Sequence, residues 1–339
     1  MRTNVRISCR ITQIHIFYEF NKRTEYLSME FDGLRAFVIV ADQGSFSLAA
    51  DRLHLTQPAV SKRIALLENQ LGVKVFDRTG RTVNLTEAGS ELYPRATEIL
   101  SKVEDTGRAI SNLIRTVSGR LSLATSHHIG LWRLGDVLKE YSSRYPSVSL
   151  DLHFMDSEVA HDEIIQGNLE LGVITLSPTR HERLKAMPIW HDQLTFVCAT
   201  DHPLAGTGRI YVETLAEHSA VLPDMSTFTG RIVKQMFDQK GLTLKVGMST
   251  NYLETIKMLI SVGLGWSVLP RSMLDDTTCV LDVPDVTMER TLGVIHHVQR
   301  SVSNAGRAFI DLLLENTDFE GWQDRPETRM TVTKNPAGQ

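Results

Sequence analysis

The sequence predicts an α/β chain with an all-α, winged N-terminal domain, and three observations carry that prediction. A compact helical pattern from Met29 to about Thr86 closes on a hairpin signal. A strict heptad repeat follows it. From residue 119 onward, short apolar strands alternate with amphipathic helices. The 339 residues leave room for two or three domains with their own cores.

The first 28 residues carry Arg6, Arg10 and His15 inside their apolar stretches, which argues against a signal peptide. Met29 opens a clean pattern, so residues 1–28 read as an extension, disordered or non-native. Leu34, Phe37, Val38 and Ala41 then recur at helical spacing and mark one buried face. "DQGS" breaks that helix. Ala49, Ala50 and Leu53 make a shorter one whose small side chains permit close approach. In "HLTQP", Thr56 suits an N-cap and Pro58 falls in the first helical turn, where a missing N–H costs little. Val60, Ile64, Leu67 and Leu71 form the buried stripe of the third helix, and Gly72 is its stop signal.

This leaves Gln57, Ser61, Lys62 and Ala65 on another face. A solvated polar face is the ordinary explanation of such a pattern. Two features favour a DNA-reading face instead. No acidic residue stands between Thr56 and Leu67, and the hairpin "VKVFDRTGRTVNLT" carries Arg78 and Arg81 beside its Thr79-Gly80 tip. A helix-turn-helix followed by a basic two-stranded wing is built to enter DNA grooves. Acidic and basic side chains balance from Met29 to Ser90, and the whole chain carries a net charge of −4, so the contact must be local.

Thr86 is placed to cap a long helix. Leu92, Ala96, Ile99, Val103, Thr106, Ile110, Leu113 and Val117 follow each other in alternating steps of four and three, a seam expected to join two copies of the chain. Pro94 is expected to kink the helix or adjust its first turns, and "SGR" at 118–120 to end it. Beyond it "RLSLAT", "VSLDLHF" and "LELGVITL" read as strands of a largely parallel sheet, with "LWRLGDVLKEYSSRY" and "EVAHDEIIQG" as helices between them. A second α/β unit follows "ATDHPLA", with helices in "TGRIVKQMFDQKG" and "YLETIKMLISVG" and a strand in "GWSVLP". "RTLGVIHHV" and "AGRAFIDLLLEN" return to complete the first unit. The expected domains are 29–86, 87–118 and 119–317, the last divided into about 119–195 plus 290–317 and about 196–289. Residues 318–339 are expected to form a flexible tail.

These residues together resemble the LysR-type transcriptional regulators, from Met29 to about Asn316. The similarity is strongest over "FVIVADQGSFSLAADRLHLTQPAVSKRIALLENQLGVKVFDRTGRTVNLTEAG", where order, spacing and residue types all match. The resemblance implies a winged helix-turn-helix, a long linker helix, and two α/β subdomains of periplasmic-binding-protein type with a small-molecule effector between them. It implies a homodimer or homotetramer that binds operator DNA and acts on RNA polymerase. Carried over residue by residue, it assigns DNA contact to Thr56, Gln57, Pro58, Ser61, Lys62 and Arg63, and to the wing residues Arg78 and Arg81. Dimerisation falls to Leu92, Ile99, Val103, Ile110 and Leu113. Effector contact falls to Ser126, His127 and His128 in "TSHHIG", to Thr175, and to Thr229. A helix start beside that polar loop leans towards a carboxylate or other small anion.

Other classes are weighed against this. The sequence has no GxSxG, P-loop, HExxH or complete GxGxxG, so an enzyme is not expected, nor a cofactor. His127 and His128 are adjacent rather than four apart, and His296 and His297 alternate across a strand, so no metal site is expected. Cys9, Cys198 and Cys279 form no CxxC spacing; a redox switch is disfavoured because the last two are far apart in sequence, and a reducing cytoplasm is the simplest home. No apolar run is long enough to span a membrane. The remaining alternative is a small-molecule binding protein that does not read DNA.

Overall fold

The computed structural model describes residues 30–77, 83–114, 116–284 and 286–317. The expected extension 1–28, the tail 318–339 and the wing-tip residues Arg78 and Arg81 lie outside the described residues. The chain divides into two compact units between Glu104 and Asp105.

In the first unit three helices pack around one core. Helix α1, Phe31–Gln43, buries Leu34, Phe37 and Val40 and stops at Gly44, whose φ of 57° is left-handed. Helix α2, Phe46–Leu53, is capped by Ser45, whose hydroxyl accepts the Leu48 N–H. Helix α3, Gln57–Leu71, is capped by Thr56, carries Pro58 in its first turn and ends at left-handed Gly72. Val60, Ile64 and Leu67 are fully buried against α1 and α2, as the stripe predicted. A carboxylate finishes the junction with the wing: Glu68, 3% exposed, accepts the Val75 N–H at 3.1 Å and the Lys74 ammonium at 2.7 Å. The wing's described strands, β1 (Phe76–Asp77) and β2 (Asn84–Leu85), are antiparallel.

Helix α4, Glu87–Ser111, starts where expected. Thr86 Oγ1 accepts the Gly89 N–H at 3.0 Å and donates to the Lys74 carbonyl at 2.7 Å. It ends earlier than expected, at Ser111 rather than at residue 118, so Leu113 and Val117 are not helical and the last step of the heptad lies outside α4. Beyond that end the chain is held by side chains the sequence did not advertise. The Asn304 side chain donates to the carbonyls of Ile114 (2.9 Å) and Thr116 (3.5 Å), and the Asn112 amide exchanges hydrogen bonds with Val302 and Asn304. The last helical carbonyls are taken by the tightened turn itself, that of Ile110 by the Leu113 N–H at 3.1 Å and that of Ser111 by the Ile114 N–H at 3.0 Å.

The second unit is a nine-stranded sheet flanked by helices. Strands β3 (Gly119–Thr125), β4 (Val148–Phe154) and β5 (Leu171–Thr175) are parallel, with helices α5 (His127–Trp132), α6 (Gly135–Arg144) and α7 (Ser157–Gln166) between them. The single helix expected from Leu131 to Tyr145 is therefore two, broken at Arg133–Leu134. Strand β6 (Leu184–Ala199) leads into the second half, where α8 (Val212–Glu217), β7 (Ala220–Leu222), α9 (Phe228–Gln239), β8 (Val246–Ser249), α10 (Leu253–Ser261), β9 (Trp266–Pro270) and β10 (Thr278–Val280) follow. Strand β11 (Met288–His297) returns, and α11 (Asn304–Glu315) closes the first half. The strand order is β4-β3-β5-β11-β6-β9-β7-β8, with β10 on β6.

The sheet is mixed rather than largely parallel. Parallel ladders hold within each half, but β11 runs antiparallel to β5 and β6, and β6 antiparallel to β9 and β10. The cause is β6, which is unbroken across the expected subdomain boundary at 195/196 and pairs with β11 from Met288↔Leu194 to His297↔Leu184. The larger core of the first half gathers Leu121, Leu123, Tyr141, Val173, Leu292 and Phe309, and that of the second gathers Phe196, Val233, Phe237 and Trp266, whose indole stacks on Phe237. The β6–β10 register sets Cys279 directly opposite Cys198, so their separation in sequence was no guide to their proximity. Both are free thiols, and burial pushes the Cys198 thiol up to about 11.

Gly89 has no room for a side chain. An added Cβ would stand 2.1 Å from the Val75 carbonyl oxygen, which itself accepts the Thr86 N–H. Gly89→Ala is expected to destabilise the first unit by roughly 1–3 kcal/mol, as overpacking does. Denaturant unfolding of the two proteins measures it, and an unchanged midpoint would contradict this packing.

Candidate functional site

The first candidate is the open face of α3. Thr56, Gln57, Pro58 and Lys62 are exposed and Ser61 is half-buried. The Gln57 side-chain amide donates to Ser61 Oγ at 2.9 Å, which orients one turn of polar groups before any partner arrives. The other face of the same turn is pinned by buried Val60 and Ile64, so the polar groups stand on a rigid support. Arg63 is differently placed. Its guanidinium lies 2.9 Å from the Asp32 carboxylate of α1, so its charge is already matched within the domain.

On α4, the seam residues divide. Leu92 packs on the core of its own unit, beside fully buried Ala96. Ile99, Val103 and Ile110 are exposed, the last at 62%. Leu113, 78% exposed, lies beyond the end of α4.

The second candidate is a cleft between the two halves of the sheet, with about 490 Å³ of empty space that includes its open mouth. Ser126, His127, His128, Thr175 and Thr229, far apart in sequence, all line it. Ser126 and Thr175 stand at the C-terminal ends of the parallel strands β3 and β5, the end of an α/β sheet where ligands gather. Ser126 is the N-cap of α5, but its hydroxyl makes no capping bond. His127 lies edge-on to Tyr252, with ring centroids 4.8 Å apart, and beside Phe154.

His128 is 4% exposed, and neither ring nitrogen has a hydrogen-bond partner among the described residues. The carboxylates of Asp192 and Glu254 stand 3.8 Å and 4.0 Å from it. A buried imidazole with both nitrogens unsatisfied is an exception among buried polar groups.

Sequence reasoning missed the charged part of the cleft. Arg290 and Asp192 face each other across β11 and β6 and form a buried ion pair at 2.6 Å. Arg290 Nη1 also donates to Thr229 Oγ1 at 3.0 Å. Asp156 and Glu158, at the start of α7, reach the opposite half: Asp156 accepts from the Asn251 amide at 2.6 Å and Glu158 from the Phe228 N–H. "MDSE" at 155–158 follows a strand just as "TSHH" does, and that shared position was a usable signal. The Arg290–Asp192 pair gave none, since 98 residues separate its members. Among the described residues no group of three or more His, Cys, Asp or Glu is arranged to hold a metal ion.

The electrostatics of His128 are testable. Burial first, then the Arg290 charge, lower its pKa from 6.5 to about 3. Below 6.5 the unfolded chain takes up a proton that the folded protein refuses, so stability is complete above that value and falls as pH drops towards 3. His128→Gln removes that component. Urea unfolding at about pH 7.5 and about pH 5 is expected to show a smaller acid loss in the variant than in the parent, and equal losses would contradict it.

Comparison with known proteins assigns the two units. Residues 31–90 match the family model of the bacterial regulatory helix-turn-helix protein, lysR family, and residues 115–318 match the LysR substrate binding domain. An uncharacterised HTH-type transcriptional regulator of Azotobacter vinelandii is 67% identical over 106 residues, 31% of this chain and 74% of that one. The uncharacterised regulator YeiE of Escherichia coli is 31% identical over 283 residues, 82% of this chain and 94% of that one. Full-length OxyR of Pseudomonas aeruginosa has the same fold at 23% identity, covering 85% of this chain and 97% of that one with a TM-score of 0.61. No helix among the described residues is long and apolar enough to cross a membrane. With a DNA-binding helix-turn-helix domain and a substrate binding domain both matched, the chain belongs to the LysR family of transcriptional regulators.

Proposed function

We propose that the chain is an effector-responsive transcription factor that reads a two-part operator as a homo-oligomer. Gln57 and Ser61 read base edges in the major groove, while Lys62, with the wing residues Arg78 and Arg81, fixes register on phosphates. Thr56 and Pro58 set the start of α3 against the DNA backbone. Arg63 joins them only by leaving Asp32. Exposed Ile99, Val103 and Ile110 support pairing of two copies along α4, and two copies present two reading helices. The expected domain limits stand as working boundaries, with the linker helix shortened to Ser111.

One observation carries the effector part of this reading: Ser126, His127, His128, Thr175 and Thr229 line a single cleft that contains a buried, unsatisfied imidazole. The effector is a small molecule with a carboxylate or other anionic group. It shifts the angle between the two halves of the sheet by as much as its affinity for the two angles differs. That shift alters the spacing of the reading helices, the bend of the DNA and the access of RNA polymerase. DNA being its target, the protein acts in the cytoplasm.

Binding to a series of operator fragments with single base substitutions tests the reading helix. Gln57→Ala is expected to lose roughly 1–3 kcal/mol of discrimination at one base position. Lys62→Ala should weaken all fragments alike and reduce the salt dependence by about one counterion. Discrimination unaltered by Gln57→Ala would remove it from the reading face. The cleft is tested by Ser126→Ala combined with Thr229→Ala, which should bind operator normally and no longer respond to the effector. A normal response would put the effector elsewhere.

A further inference from the structure

The cleft poses an electrostatic problem for any anion. Its lining carries two carboxylates, Asp156 and Glu158, and one guanidinium, Arg290, whose charge Asp192 already matches. A second guanidinium, Arg133, stands 3.7 Å from the same Asp192 but does not line the cleft. An anionic group entering this space unassisted meets net repulsion.

The same residues suggest how that repulsion is relieved. Helix α9 is twelve residues long, and its N-terminus opens on the cleft with Thr227, Phe228 and Thr229 in the lining. Thr227 Oγ1 caps the Gly230 N–H, and the Phe228 N–H is taken by the Glu158 carboxylate, which comes from the other half of the sheet. A backbone donor at a helix N-terminus is where an anion gains most. Here a side chain of the protein occupies it. An independent sign that the space is built for a ligand is His128, buried in the same lining with both ring nitrogens unsatisfied.

We propose that Glu158 is a built-in stand-in for the effector's anionic group: its carboxylate holds the N-terminal end of α9, and an anionic effector binds by displacing it. This rests on the reading of the cleft as the effector site and gives that site its regulation. Displacement removes one of the two carboxylates as the new anion arrives, so the lining's charge is conserved. It also exchanges a tether between the two halves for a free ligand, which gives the effector a mechanical consequence. The bonds from Asn251 to Asp156 and from Trp132 to Glu254 remain as tethers, so the halves pivot rather than separate. Glu158 is a suitable occupant for eviction. Burial raises its carboxyl above the ordinary range, so the ionised group is held there at a cost that water would relieve.

The full chain tests this with malonate and inorganic phosphate as probes. Calorimetry is expected to find at least tenfold tighter malonate binding to Glu158→Ala than to the parent. Glu158→Gln, which keeps an acceptor of the same size and loses only the charge, should fall between them and covers the case of a poorly folded alanine variant. Hydrogen–deuterium exchange over residues 224–236 supplies the second readout. Exchange in the first turn of α9 should rise in Glu158→Ala, and malonate should restore protection.

Equal affinities in all three proteins, or exchange that Glu158→Ala leaves unchanged, would overturn the proposal. Faster exchange that neither probe reverses would also overturn it, since Glu158 would then be a clamp and not a stand-in. If malonate re-protects α9 but the operator footprint never responds to any occupant of the cleft, the stand-in holds and the regulatory reading of the cleft fails.

Discussion

Asp192 and Arg290 are opposite each other on β6 and β11, the two strands that run through both halves of the sheet, and each is nearly out of reach of water. A buried guanidinium and carboxylate are tolerable only together, because either alone would carry the full desolvation cost of a charge. The pair therefore fixes the register of the crossing strands at the foot of the cleft. Much of the cleft's chemistry depends on it. Arg290 holds Thr229 at the head of α9, and its charge helps keep the His128 imidazole neutral. Arg133 leans on the same carboxylate from the other side.

Around this foot the cleft is assembled from strand ends. Ser126 and Asp156 follow parallel strands of the first half and Thr175 ends one, while Phe228, Thr229 and Asn251 come from the second. Among the described residues, hydrogen bonds cross between the halves above the crossing strands from Phe228 to Glu158, Asn251 to Asp156, and Trp132 to Glu254. They are polar and exchangeable with water or a ligand. The Arg290–Asp192 pair below them is not. A stiff base under replaceable upper contacts is the mechanical form of a hinge whose angle an occupant can set.

Local patterns were legible in the sequence because their causes are local. The stripe Val60–Ile64–Leu67, the Thr56 and Thr86 caps, Gly72 and the alternation of strands with helices all depend on neighbours within a few residues. The polar residues at the ends of β3 and β5 were named through the family resemblance rather than through local pattern. What escaped depended on partners far along the chain. Helix α4 stops at Ser111 and the chain beyond it is held by Asn304, and nothing between residues 105 and 118 announces that. The antiparallel β6–β11 ladder turned an expected parallel sheet into a mixed one. The same class of long-range pairing sets Cys279 opposite Cys198 and Arg290 opposite Asp192. Glu158 was an intermediate case. Its place after a strand was visible, but the donor it meets is 70 residues away.

The central claim is that one chain couples a DNA-reading helix to an occupant of the cleft. A nuclease footprint of the protein on the DNA upstream of its own gene, with and without a panel of small carboxylates at one stated salt concentration, tests that claim most directly. The account predicts a protected, roughly palindromic site whose extent changes with a particular compound. An unprotected region, with small-molecule binding still measurable by calorimetry, would contradict it and leave the open face of α3 as a solvated surface.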